Sequence, residues 1–139
     1  MTGPGNPLLR RYLLVLMGGL LLQGLGSLLF RLEPALPAQS PLLVRGAFGI
    51  DFWHALIHIA WGAAGLVIVA LARSVKPLVG LALAFGAFYT AFGLLGVLTD
   101  HPMGLELDAP ENGFHLVAGP LSLAIGWWAW RRRVEGARS

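Results

Sequence analysis

Four runs of residues, 12–30, 52–72, 77–99 and 112–130, contain no Asp, Glu, Lys or Arg. Each is close to the ~20 residues that a helix rising 1.5 Å per residue needs to cross a hydrocarbon core of about 30 Å. Lipid offers a backbone N–H or C=O no partner, so runs of this length are expected as helices, which satisfy their own polar groups. The spacing predicts an all-α integral membrane four-helix bundle. It forms a single domain over residues 1–139, with helices at about 12–30, 51–72, 77–99 and 112–130. Pro77 fits the first turn of the third helix, where a missing N–H costs nothing.

Between the runs lie a long loop with Pro34, Pro37 and Pro41, a tight turn Arg73-Ser74-Val75-Lys76, and a loop with Asp100, His101, Pro102, Glu106, Asp108 and Pro110. Arg10 and Arg11, Arg73 and Lys76, and Arg131, Arg132 and Arg133 all fall on one side of this arrangement. The positive-inside rule makes that side, with both termini, cytoplasmic. The other side carries Glu33, Asp51, Asp100, Glu106, Asp108 and Glu111 against Arg31 and Arg45. Trp127, Trp128 and Trp130 suit an aromatic belt at the inner interface. A cleaved signal peptide is the competing reading of the N-terminus, and no small-x-small site follows the apolar run at the usual distance to support it.

The composition agrees, with 56% hydrophobic and 12% charged residues. A pI of about 10.2 resembles that of a nucleic-acid binder, yet the basic residues sit at span ends rather than on an aromatic-interleaved surface, so nucleic acid is not expected as a partner. With no cysteine, disulfides, thiolate metal sites and thiol catalysis are excluded. The serines lack a strand-turn-helix context, so no hydrolase triad is expected, and the Gly-rich stretches read as helix-packing surfaces rather than phosphate cradles. Enzymatic activity is therefore not the expected reading.

Glycines at 18, 19, 24 and 26 in the first span and at 80, 86, 93 and 96 in the third permit close backbone approach. A weak internal repeat relates the helix pairs: Gly24-Leu25-Gly26 resembles Gly93-Leu94-Leu95-Gly96, and His58 with Gly62 resembles His115 with Gly119. Both pairs run outward and then inward, so the repeat is parallel.

The residues that carry chemistry lie near the exterior ends of the second and fourth spans. Asp51, His54 and His58 are spaced by three and four, which puts them on one helical face. Glu111, Asn112 and His115 have similar spacing, and His115, Gly119, Ser122 and Gly126 continue as a small, polar stripe expected to face the interior. Polar groups inside a membrane are costly against lipid and normally face partners, water or a cofactor. His54, His58 and His115 are therefore the candidate metal ligands. Three neutral imidazoles suit Zn or Cu and leave a position open. Asp51, Glu111 and Asn112 are the candidate supporting groups, the carboxylates receiving a ligand's second ring N–H. Haem instead needs one histidine from each helix, such as His58 and His115, on opposite faces of the ring.

The blander reading has these side chains bonded to one another, tying two helices together, with Asp51 also capping the second. His101, with Pro102 and Met103, is a lesser candidate for an exterior copper pair. Tyr89 and Gln23 are expected to be paired inside the bundle, and Phe85, Phe88 and Phe92 to be packing.

Asp51-Phe52-Trp53-His54-Ala55-Leu56-Ile57-His58 with Gly62, and Asn112-Gly113-Phe114-His115 with Gly119, resemble an uncharacterised bacterial family of small four-helix membrane proteins, a domain of unknown function. The likeness spans about residues 12 to 130. It implies the fold, the topology and a multi-pass place in the bacterial inner (plasma) membrane, and no activity. The proline-rich first exterior loop and the tryptophans of the fourth span depart from that family. Two functions follow from the sequence as expectations. One is a membrane protein holding a transition metal or haem. The other is an accessory or structural subunit of a larger membrane complex, respiratory or photosynthetic, or a homo-oligomer, in which a histidine ties helices or ligates a pigment magnesium. A transporter is a weaker third, since four short helices leave little room for a pathway.

Overall fold

The computed structural model describes residues 6–99, 105 and 109–136. Among these residues the chain is all-helical, in the order α1 (Pro7–Leu32), α2 (Ala35–Gln39), α3 (Leu42–Phe48), α4 (Phe52–Leu71), α5 (Val75–Leu98) and α6 (Ala109–Gly136). The long helices overrun the charge-free stretches because freedom from charge marks hydrocarbon depth, whereas helical hydrogen bonding continues through the flanking charged residues. α1 starts at Pro7 behind an Asn6 cap whose side chain accepts the N–H groups of Leu8 and Leu9 at 3.1 and 3.2 Å. At the far end of the chain, α6 runs on through Arg131 to Arg133.

Three helices, α1, α4 and α5, are long and apolar enough to cross a membrane, so this is a membrane protein. α6 has the length, but Asn112, His115, Pro120, Ser122 and three tryptophans lower its average hydropathy. The outward faces of the helices are apolar, with Val15, Leu22, Val67, Leu94 and Val117 all more than half exposed. That is the surface a lipid solvent calls for.

The helices associate as two antiparallel pairs, α1 with α4 and α5 with α6. Glycine lets each pair approach until backbone nearly touches backbone. A Cβ on Gly62 would lie 2.6 Å from the Leu21 nitrogen, and one on Gly24 2.7 Å from the Ile59 side chain. In the second pair a Cβ on Gly119 would lie 2.6 Å from the Thr90 nitrogen, and one on Gly93 3.0 Å from Leu116. The two sets share one register. In each, the glycine on one helix faces the residue three before the glycine on the other. The internal repeat is therefore a repeat of packing, and it makes His58 the counterpart of His115 and His54 the counterpart of Glu111.

Between the pairs, contact is sparser. The Tyr12 hydroxyl meets Ser122 Oγ at 2.6 Å, and because Ser122 donates to the Ala118 carbonyl at 2.7 Å, the phenol is the donor. Trp61 packs on Phe85 and Phe88 with ring centroids 5.6 and 5.4 Å apart. At one end the Arg10 guanidinium donates to the Val69 and Ala72 carbonyls at 2.7 and 2.5 Å, closing the last turn of α4 beside the start of α1. At the same end Trp127 lies 4.9 Å from Trp130, and Arg132 sits 4.7 Å over the Trp128 ring.

The proline-rich segment expected as a loop contains two short helices. Pro34 and Pro41 stand at their N-caps, where a residue with no N–H to donate starts a helix rather than breaking one. α3 lies along α1: Gln23 Nε2 donates to the Ala47 carbonyl at 2.9 Å, and Phe48 packs on Phe30 at 5.5 Å.

Candidate metal centre

The start of α4 is fixed by Asp51, whose Oδ1 accepts the His54 N–H at 3.0 Å. From that cap, residues 54, 58, 62, 65 and 69 turn inward as the buried face of the helix. On α6 the inward stripe is Asn112, His115, Ala118, Gly119, Ser122, Gly126 and Ala129. Because α4 and α6 run in the same direction, both stripes bring their histidines to one level of the seam between the two helix pairs. His58 lies six residues inside α4, about 9 Å from its start.

His54, His58 and His115 are 0, 1 and 1% exposed. Their ring centroids are 4.5 Å apart for His54 and His58, 5.3 Å for His54 and His115, and 6.2 Å for His58 and His115. One ring nitrogen from each lies within 4.8 Å of the others. Three points so spaced share a centre no more than about 2.8 Å from each, against ~2.0–2.1 Å for a zinc–imidazole bond. An ion held there would draw the rings inward by under about 1 Å, within reach of small side-chain rotations.

The surroundings are apolar and aromatic. Tyr89 stacks on Phe85 at 4.2 Å and lies 5.0 Å from His115 and 5.9 Å from His58, while Phe92 is 5.2 Å from His115 and 5.9 Å from His54. Glu111 Oε2 lies 3.4 Å from His54 Nδ1, so the two counterpart pairs of the repeat, His58 with His115 and His54 with Glu111, meet across the seam. Among the described residues, neither ring nitrogen of His58 or His115, nor His54 Nε2, nor the Tyr89 hydroxyl has a hydrogen-bond partner. Donor atoms buried in an apolar shell and aimed at one another fit a bound cation.

The supporting groups separate. Glu111 stands beside a ligand ring, as a group that fixes its tautomer must. Asp51 has its described contact with the backbone it caps, and Asn112 is buried on the α6 stripe. His101, Pro102 and Met103 lie outside the described residues, as do Asp100, Glu106 and Asp108. Gln23 is paired as expected, although with α3 rather than within the bundle. Among the described residues the Tyr89 hydroxyl has no hydrogen-bond partner, against the expectation that it would be paired. Its place beside the histidines could have been read from Phe85, Tyr89 and Phe92, spaced by four and three on the face that also carries Gly93.

No curated protein and no solved structure matches the chain. A family model does match, over residues 11–128, a span that takes in the three histidines, Tyr89 and the glycines of both helix pairs. The chain is therefore a member of the family described as Domain of unknown function (DUF4383).

Proposed function

We propose that this chain is a four-helix bundle of the bacterial inner membrane that holds one transition-metal ion, zinc or copper, on His54, His58 and His115 near the exterior face. α6 serves as the fourth crossing: residues 112–130 carry no charge, and it packs antiparallel to α5. The basic residues at the start of α1, in the α4–α5 turn and at the end of α6 then orient both termini to the cytoplasm.

The observation that carries this reading is the convergence of three buried ligand atoms, from two helices, within 4.8 Å of one another. A helix-tying role accounts for the contact between His54 and Glu111 but leaves the other ring nitrogens unmet. Each buried polar group without a partner costs about 1–3 kcal/mol, whereas a side-chain tie within a membrane bundle contributes only ~0.6 kcal/mol on average. An ion meets one nitrogen of each ring and so reduces that deficit.

Haem fits less well. Axial ligation by His58 and His115 agrees with their 6.2 Å separation, but the three ring separations put His54 about 4 Å from the midpoint between them, inside the footprint of a porphyrin. The alternative of an accessory subunit rests on outward leucines and tryptophans, which lipid contact explains equally.

Metal analysis of the detergent-purified protein tests the proposal. About one equivalent of zinc or copper is expected in the wild type after metal loading and under about a tenth of that in His115→Ala, with helical circular dichroism retained. A wild-type protein that binds neither ion would refute it.

A further inference from the structure

Resting on the metal reading above, the structure assigns the centre a ligand class: we infer that a lipophilic molecule with a monoanionic oxygen head, a carboxylate or phenolate, reaches the ion laterally from the bilayer. A cavity of about 480 Å³ opens beside the histidines, within the range that holds drug-sized ligands. His54, His58 and His115 line its inner part, and its walls are α3, through Leu43 and Gly46, and α6, through Phe114. Leu43 is 88% exposed and Phe114 41%, so the mouth is rimmed by apolar side chains.

The depth of this mouth places it in lipid. α3 is anchored to α1 at Gln23, nine residues inside the end of α1, or roughly 13 Å at helical rise. Further down, the Tyr12–Ser122 bond joins α1 to α6, so the cleft between the helix pairs is closed at its base and open at its side. Charge selects the head group. A divalent ion on three neutral imidazoles stays cationic with a coordination position open, and an anionic oxygen answers both. The apolar body then lies against Leu43 and Phe114.

Cobalt(II) in place of the native ion provides a visible absorption band that reports on the fourth ligand, and octanoate and acetate are the probes. Octanoate is expected to shift the band with at least about ten-fold tighter apparent affinity than acetate, equivalent to ~1.4 kcal/mol. Gly46→Trp separates the cavity from simple partitioning into detergent. Gly46 lines the cavity and a Cβ there meets no atom within 4 Å, so a side chain can start at this position without a backbone clash, and retained helical circular dichroism checks the fold of the variant. In that variant octanoate should weaken by at least about ten-fold and acetate by less than about two-fold. Equal octanoate binding in wild type and Gly46→Trp overturns the inference, as does a cobalt band that neither carboxylate moves. Absence of any cobalt band overturns the metal reading itself, and this inference with it.

Discussion

Substituting alanine for Gly119 tests whether backbone approach sets the geometry of the centre. The added methyl would lie 2.6 Å from both the nitrogen and the hydroxyl oxygen of Thr90 and 3.0 Å from its Cα. Thr90 cannot turn aside freely, because its hydroxyl donates to the Gly86 carbonyl at 2.6 Å. Restoring an ordinary contact of 3.4 Å requires α5 and α6 to part by about 0.8 Å, and overpacking of this kind costs ~1–3 kcal/mol. Against this, replacing glycine by alanine inside a helix gains up to ~1 kcal/mol. Gly80→Ala isolates that gain, since a Cβ on Gly80 meets nothing within 4 Å. The difference between the two variants is therefore about 1–3 kcal/mol, with Gly119→Ala the less stable. Unfolding by sodium dodecyl sulfate in mixed micelles, followed by circular dichroism, measures it. His115 lies one turn from Gly119, so zinc affinity should fall in Gly119→Ala and hold in Gly80→Ala. Equal stabilities within about 0.5 kcal/mol would refute the packing argument.

Three further outcomes are expected. Arg10→Leu removes a charged donor from two terminal carbonyls of α4 and should lose about 1.5–3 kcal/mol in the same titration. The exposed Arg11→Leu should change stability by under about 0.5 kcal/mol, and similar losses in both would deny Arg10 its capping role. Glu111→Gln should weaken zinc about 10–100-fold in a competition titration with a chromogenic chelator, and an unchanged affinity would remove Glu111 from the support of His54. Protons compete with the ion for imidazole nitrogen, so affinity rises with pH and bound zinc should dissociate on acidification. Zinc content that stays flat from about pH 7 to about pH 3 would argue against imidazole ligation.

Three membrane-length helices, α1, α4 and α5, were legible in the sequence because exclusion of charge is the strongest constraint that lipid imposes. α4 and α6 also showed their inward stripes, since residues three and four apart share a helical face whatever lies opposite. α3 was not legible. Leu42 to Phe48 is too short to cross a membrane, and Pro34, Pro37 and Pro41 read as breakers when two of them are helix starts. The pairing of His54 with His58 follows from spacing alone. Their meeting with His115 depends on the register of α4 against α6, which is set indirectly by glycine contacts within each helix pair. Asp51 was expected as both cap and ring partner. Its Oδ1 bonds the backbone, and the carboxylate beside a ring is Glu111.

The matched glycine registers of the two helix pairs mean that each hairpin carries half of the cluster: His54 and His58 on one, Glu111 and His115 on the other. A single ancestral hairpin docked against its own copy would present the same four positions about a two-fold axis. After such a duplication only one side chain, histidine in one half and glutamate in the other, distinguishes the two contributions. The histidine cluster is thus a product of docking between halves, and any lesion that parts them disperses it without touching a histidine.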